Sequence, residues 1–115
     1  MISGITFEQG DILIVPFPFS DLSSIKQRPV LILSKSSYNR EAEDIVTCGI
    51  TSNLRDAMHS VLIDNKDLES GSIPRASRIK VDKLFTIEKS IVKKKIGKIN
   101  YLTMDMVRKE FINLV

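Results

Sequence analysis

Short runs of β-branched residues and leucine, each cut off by glycine, aspartate or proline, constrain this chain most. Residues 10–33, GDILIVPFPFSDLSSIKQRPVLIL, show the pattern best. Apolar runs of this length with such punctuation favour strands over helices, so residues 12–15 and 30–33 are expected to pair as a hairpin. The polar link between them, roughly residues 17–27, exceeds the two to five residues of an ordinary hairpin loop and predicts a loop kept for function. Arg28 closes that loop. Pro29 drives Arg28 towards extended backbone and offers no N–H, so the guanidinium is expected at the mouth of a strand. A charge held there can bind an anion or can be a solvated edge arginine, and this stretch alone leaves both open.

Residues 45–51 read as a third strand, with Val46, Cys48 and Ile50 facing one way and Ile45, Thr47, Gly49 and Thr51 the other. The preceding SKSSYNREAED is polar and is expected to be loop. Residues 60–64 read as a strand, 65–70 as a helical turn closed by Gly71, and 77–82 as a half-buried strand with Ile79 and Val81 opposite Arg78, Lys80 and Asp82. Residues 84–87 and 91–99 are expected to add short strands, with Gly97 at a bend or bulge. Near the end Met104, Val107, Phe111 and Leu114 recur at helical spacing behind Thr103, which predicts a capped helix laid on the sheet. The expected fold class is mainly β with a C-terminal helix: one domain over residues 1–115, a small barrel of about six or seven strands.

Composition narrows the function classes. No apolar run approaches the ~20 residues of a membrane span, and no basic region precedes a hydrophobic segment at the N-terminus, so a cytoplasmic protein is expected. The single cysteine, Cys48, cannot form an internal disulfide and sits in an apolar stretch, as a small buried hydrophobe would. The net charge of +3 is unevenly placed: residues 75–98 hold nine basic and two acidic side chains, a local +7 that leaves −4 elsewhere. A polyanionic partner and a solvated basic face both fit that asymmetry. Histidine occurs once, as His59, so two imidazoles cannot share acid and base duties within one chain. No Cys/His spacing suggests zinc, and there is no glycine-rich calcium or phosphate loop; metal or cofactor use is not expected.

The order of short motifs along the chain carries a resemblance. Gly10-Asp11 opens the first strand, Pro16-Phe17-Pro18-Phe19 enters the loop, Arg28-Pro29 opens the second strand, Ile50-Thr51-Ser52 ends the third, and Asp82-Lys83-Leu84-Phe85-Thr86-Ile87 follows. From residue 10 to about 114 the chain resembles the MazF/PemK toxins of type II toxin–antitoxin systems, which are similar in fold to the gyrase poison CcdB. The resemblance implies an SH3-like barrel, a homodimer, a partner antitoxin that is acidic and partly disordered, and a metal-independent endoribonuclease that cuts single-stranded RNA, chiefly messages, at short motifs.

By that pattern Arg28 and Thr51 are the catalytic pair. The candidates for substrate binding are Phe17, Phe19, Ser20 and Gln27 in or beside the first loop, Ser52 and Asn53 beside Thr51, and Arg78 and Lys80 as phosphate contacts. Phe17 and Phe19 suit base stacking, and they equally suit plugging the core. A non-catalytic protein on the same fold, either a gyrase poison or an RNA-binding barrel, is the alternative. The Arg28/Thr51 pair favours the nuclease, and Asn113-Leu114-Val115 lacks the aromatic end expected of such a gyrase poison.

Overall fold

A computed structural model describes residues 5–18 and 25–115. Seven strands form one curled antiparallel sheet in the order β4-β6-β3-β2-β1-β7-β5. They are β1 Asp11–Pro18, β2 Ile25–Ile32, β3 Asp44–Thr51, β4 Ser60–Ile63, β5 Leu68–Gly71, β6 Ser77–Glu88 and β7 Lys94–Ile99. Helix α1 covers Ser36–Glu41 and helix α2 Tyr101–Leu114. The expected sheet and terminal helix are therefore present, curled as a half-barrel.

Both faces of the sheet bury apolar side chains, because each strand contributes alternate residues to each. On one face Ile12, Leu31, Cys48, Ile50, Val61 and Ile79 pack under α2 through Met104 and Val107. On the other, Leu13, Val15, Val30, Ile32, Ile45 and Ile87 meet Phe7 and Val92. The buried Cys48 thiol is pushed up to about 12, chiefly by loss of water and also by the charge of Asp82, so it is inert at neutral pH.

Several local expectations are corrected. The first connection is shorter than predicted, since β1 and β2 stay paired through Phe17↔Lys26 and Pro18↔Ile25. Prolines 16 and 18 are tolerated there because β7 pairs with β1 only as far as Ile14↔Lys94, leaving no ladder to break on the other edge among the described residues. The stretch read as loop after β2 contains α1, whose Asn39 is buried and donates to the Phe7 and Ser34 carbonyls at 3.0 Å each. The turn predicted over residues 65–70 is only a 3-10 turn, Asn65–Asp67, followed by β5. Helix α2 begins earlier than expected: Asn100, not Thr103, is its cap, accepting the Thr103 N–H at 2.9 Å.

Strand β6 departs furthest from the sequence reading. The two strands expected at 77–82 and 84–87 are one strand with a large bulge: Cys48 pairs with Leu84, yet Gly49 pairs with Lys80. One step along β3 spans four along β6. The alternation accordingly changes parity, with Ile79 and Val81 facing the helix side before the bulge and Leu84 facing it afterwards.

Candidate active site

The site lies at the end of β2 and β3 where their ladder stops. The pairing runs Ile32↔Thr47, Leu31↔Cys48, Val30↔Gly49, and its continuation by two residues sets Arg28 opposite Thr51. Pro29, with no N–H to donate, stands at the point where pairing ends. Thr51 pairs on its other side with Arg78 of β6, so Arg28, Thr51 and Arg78 fall in one row across three strands.

Two hollows open at this row. The first, of about 410 Å³, is lined by Phe17, Arg28, Pro29, Gly49, Ile50, Thr51, Asp56, Lys83 and Phe85. The second, of about 260 Å³, has Arg28, Pro29, Ile50 and Thr51 in common with it and continues to Ser52, Pro74 and Arg75. Arg28 is exposed and Thr51 half-buried. Side chains from separate strands thus converge on both cavities.

The other predicted residues divide. Phe17 lines the first hollow and stacks obliquely on Phe85, ring centres 4.7 Å apart at 44°. It also packs on the second core cluster, the plugging role considered for it. Ser52 is exposed in the second hollow. Asn53 is exposed but builds the turn: its N–H donates to Thr51 Oγ1 at 3.1 Å, and its Oδ1 accepts the Arg55 N–H at 3.1 Å. Gln27 is exposed opposite Pro16 and lines neither hollow. Phe19 and Ser20 lie outside the described residues.

Arg78 and Lys80 do not present themselves as expected. Arg78 Nε donates to the Leu54 carbonyl at 2.6 Å, and its Nη1 donates to Ser60 Oγ at 3.3 Å. Lys80 is 3% exposed; its ammonium lies 2.9 Å from Asp56 Oδ1 and 3.5 Å from Asp82 Oδ1 and donates to the Met58 carbonyl. The basic side of this strand was expected to face solvent or a ligand, and instead the loop between β3 and β4 folds over it.

Burial opposes the charge on Lys80, but the hydrogen bond to Asp56 and the charge of Asp82 outweigh it and raise the lysine above its ordinary value. The same hydrogen bond holds the Asp56 carboxyl below the usual carboxylate range. Asp56 therefore stays ionised at neutral pH and is weakened as a proton acceptor.

Sequence reasoning missed Asp56, Lys83 and Phe85 in the walls. The signal for Lys83 and Phe85 was the motif Asp82-Lys83-Leu84-Phe85, whose orientation depends on the bulge. A Cβ at Gly49 would sit 3.5 Å from both Lys83 Cβ and Phe85 Cε2, so the glycine keeps the floor of the first hollow open rather than relieving a clash. Among the described residues no three His, Cys, Asp or Glu side chains gather into a metal-binding group.

Residues 8–115 match the model of the PemK-like, MazF-like toxins of type II toxin–antitoxin systems. The chain belongs to this family. No curated protein matches the sequence significantly. Among solved structures, the MazE–MazF complex of Deinococcus radiodurans (Form-II) is similar with a TM-score of 0.76 at 18% identity, covering 96% of each chain. A protein described as an endoribonuclease in complex with its cognate antitoxin, from a mycobacterial species, matches with a TM-score of 0.75 at 19% identity over 92% of this toxin-family chain and 91% of its own. The Mycobacterium tuberculosis toxin MazF-mt6 matches at 0.68 and 21% identity, over 88% and 93% of the two chains. At these identities the likeness establishes the MazF-like fold.

Proposed function

We propose that this toxin-family protein is a sequence-specific, metal-independent endoribonuclease that cleaves single-stranded RNA, with messages as its main target, and that it acts in the cytoplasm as a homodimer silenced by an acidic, partly disordered antitoxin. The observation that carries the reading is the convergence of Arg28 and Thr51, from two different strands, on the rim common to both hollows. Family membership supports it, as do the solved relatives described as endoribonucleases.

In this mechanism a phosphate of the RNA lies over the rim. The ribose 2′-oxygen attacks the adjacent phosphorus, the bond from phosphorus to the 5′-oxygen breaks, and the products are a 2′,3′-cyclic phosphate and a 5′-hydroxyl. The attacking hydroxyl gives up its proton and the departing 5′-oxygen takes one. Arg28 offers two parallel N–H donors to the oxygens that gain charge in the phosphorane. Thr51 Oγ1 already accepts the Asn53 N–H, which leaves its own hydroxyl proton to donate to a phosphate oxygen. Asp56, with its depressed proton affinity, is poorly suited to be the base, so alignment and charge stabilisation supply the rate. The aromatic pair Phe17/Phe85 offers a face for an unstacked base, and Lys83 and Arg75 offer phosphate contacts.

The test is the chemistry of the ends. Cleavage of a mapped RNA should leave a cyclic or 3′-phosphate and a 5′-hydroxyl, continue in chelator, and stop when the scissile nucleotide is 2′-deoxy. A 5′-phosphate end, or cleavage of the 2′-deoxy substrate, would replace this mechanism with attack by water.

A further inference from the structure

We infer that Lys80 is a positioning residue for cleavage, holding the loop of residues 52–59 against the sheet so that Thr51 and Asp56 keep their places at the hollow. This rests on the nuclease reading above and adds to it a residue that touches no substrate.

The loop leaves β3 directly after Thr51 and returns at Ser60, and its residues are largely exposed. Exposed chain of this kind buries little apolar surface and has to be held by polar contacts. Two cations of β6 provide them from beneath. Arg78 grips the Leu54 carbonyl and Ser60 hydroxyl, while Lys80 grips the Met58 carbonyl and the Asp56 carboxylate and is braced by Asp82. The backbone adds the Val81 N–H to the His59 carbonyl at 3.0 Å, at a residue whose φ of 50° lies in the left-handed region. Of these contacts only those of Lys80 set a nearly buried cation against carboxylates, which themselves stay partly exposed. Removing a buried charge partner costs far more than losing an exposed one.

The geometry links this grip to the site. Asp56 is at once the ion-pair partner of Lys80 and a wall of the first hollow beside Arg28 and Thr51. The Thr51 hydroxyl has its orientation set by an N–H of the same loop, that of Asn53. When the loop loosens, the Thr51 hydroxyl loses registration with the phosphate, and a misplacement of about 1 Å can cost on the order of 10²-fold in rate. A phosphate-binding lysine would behave differently, because neutralising a phosphate releases counterions and gives salt-dependent affinity.

The experiment compares Lys80→Met with Asp56→Asn, whose partner carboxylate is partly exposed and whose replacement leaves the core untouched. Amide hydrogen exchange over residues 53–59 should quicken in both variants while exchange in β1 and β2 stays slow, a readout independent of any RNA cleavage. In single-turnover assays on a short RNA the rate should fall about 10- to 100-fold, with KM and the salt dependence of RNA binding little changed. Lys80→Arg should recover most of the rate. Unchanged exchange in the Asp56→Asn loop overturns the proposal, as does a Lys80→Met variant that cleaves normally. A salt slope lower by about 0.7, the value for one phosphate contact on a single strand, returns Lys80 to the binding surface and overturns it as well. If wild-type protein cleaves no RNA while the loop exchange responds as described, the nuclease reading fails and the loop clamp stands.

Discussion

In the proposed mechanism Arg28 and Thr51 would divide the labour at one phosphate, charge from the first and a directed hydroxyl proton from the second. Arg28→Ala should lower cleavage by about 10²- to 10⁴-fold, the loss typical of a missing transition-state donor. Its melting temperature should stay within about 2 °C of wild type, since an exposed side chain adds little to the core. Thr51→Ala should also lose activity while folding normally. Full activity in either variant, with circular dichroism showing the native fold, removes that residue from the mechanism. At this scale the meeting of Arg28 and Thr51 at one rim was readable, through a family pattern whose Arg-Pro and strand-ending threonine are local features. Lys80 and Arg78 were not, since a count of cations is silent on which of them the protein's own carbonyls and carboxylates consume. Phe85 and Lys83 were hidden for a related reason: their faces depend on a bulge that no alternation pattern can contain.

Among the elements, the short apolar runs marked β1, β2, β3 and β4 well, because burial on both faces leaves runs of valine, isoleucine and leucine. Helix α1 escaped notice. Its six residues, Ser36–Glu41, show no apolar period, and it is held by the buried Asn39 rather than by an amphipathic stripe. The edge pair β5 and β7 depends on Gly71, at φ 75°, facing Gly97. A Cβ on Gly71 would come within 2.1 Å of the Ile96 carbonyl oxygen, a contact that only a shift of backbone can relieve. Gly71→Ala should therefore destabilise the fold by about 2–4 kcal/mol, read as the shift of a urea midpoint with unchanged slope. A change below about 0.5 kcal/mol would mean that this edge is looser than it stands. Gly97, expected at a bend or bulge, does lie at one: Ile12 pairs with Gly97 and Leu13 with Lys95, leaving Ile96 over.

For the whole molecule, the basic stretch of residues 75–98 is less of a binding surface than its charge suggested. Lys80, Lys95 and Lys98 are paired with Asp56, Asp11 and Glu8, and Lys89 donates to the Asn39 carbonyl. The cations that face the two hollows are Arg28, Arg75 and Lys83. Three phosphate contacts on a single strand predict a log–log salt slope of about −2 per protomer, against about −6 had all nine cations engaged. Titration of Arg28→Ala with RNA should accordingly give a slope of about −1.4, and light scattering of the same sample should give the mass of two chains. A steeper slope, or a monomer with full affinity, would move the RNA path away from this rim. One strand ties the two ends of the fold together. In β6 the residues before the bulge serve the first apolar cluster and the loop beside the site, and those after it line the first hollow with Phe85 and reach the second cluster with Ile87. The surplus between them works as an expansion joint. Gain or loss of one residue in an evenly paired strand turns over every side chain beyond it, whereas slack here can absorb the change, so an altered length on one side of the joint need not turn over the side chains on the other.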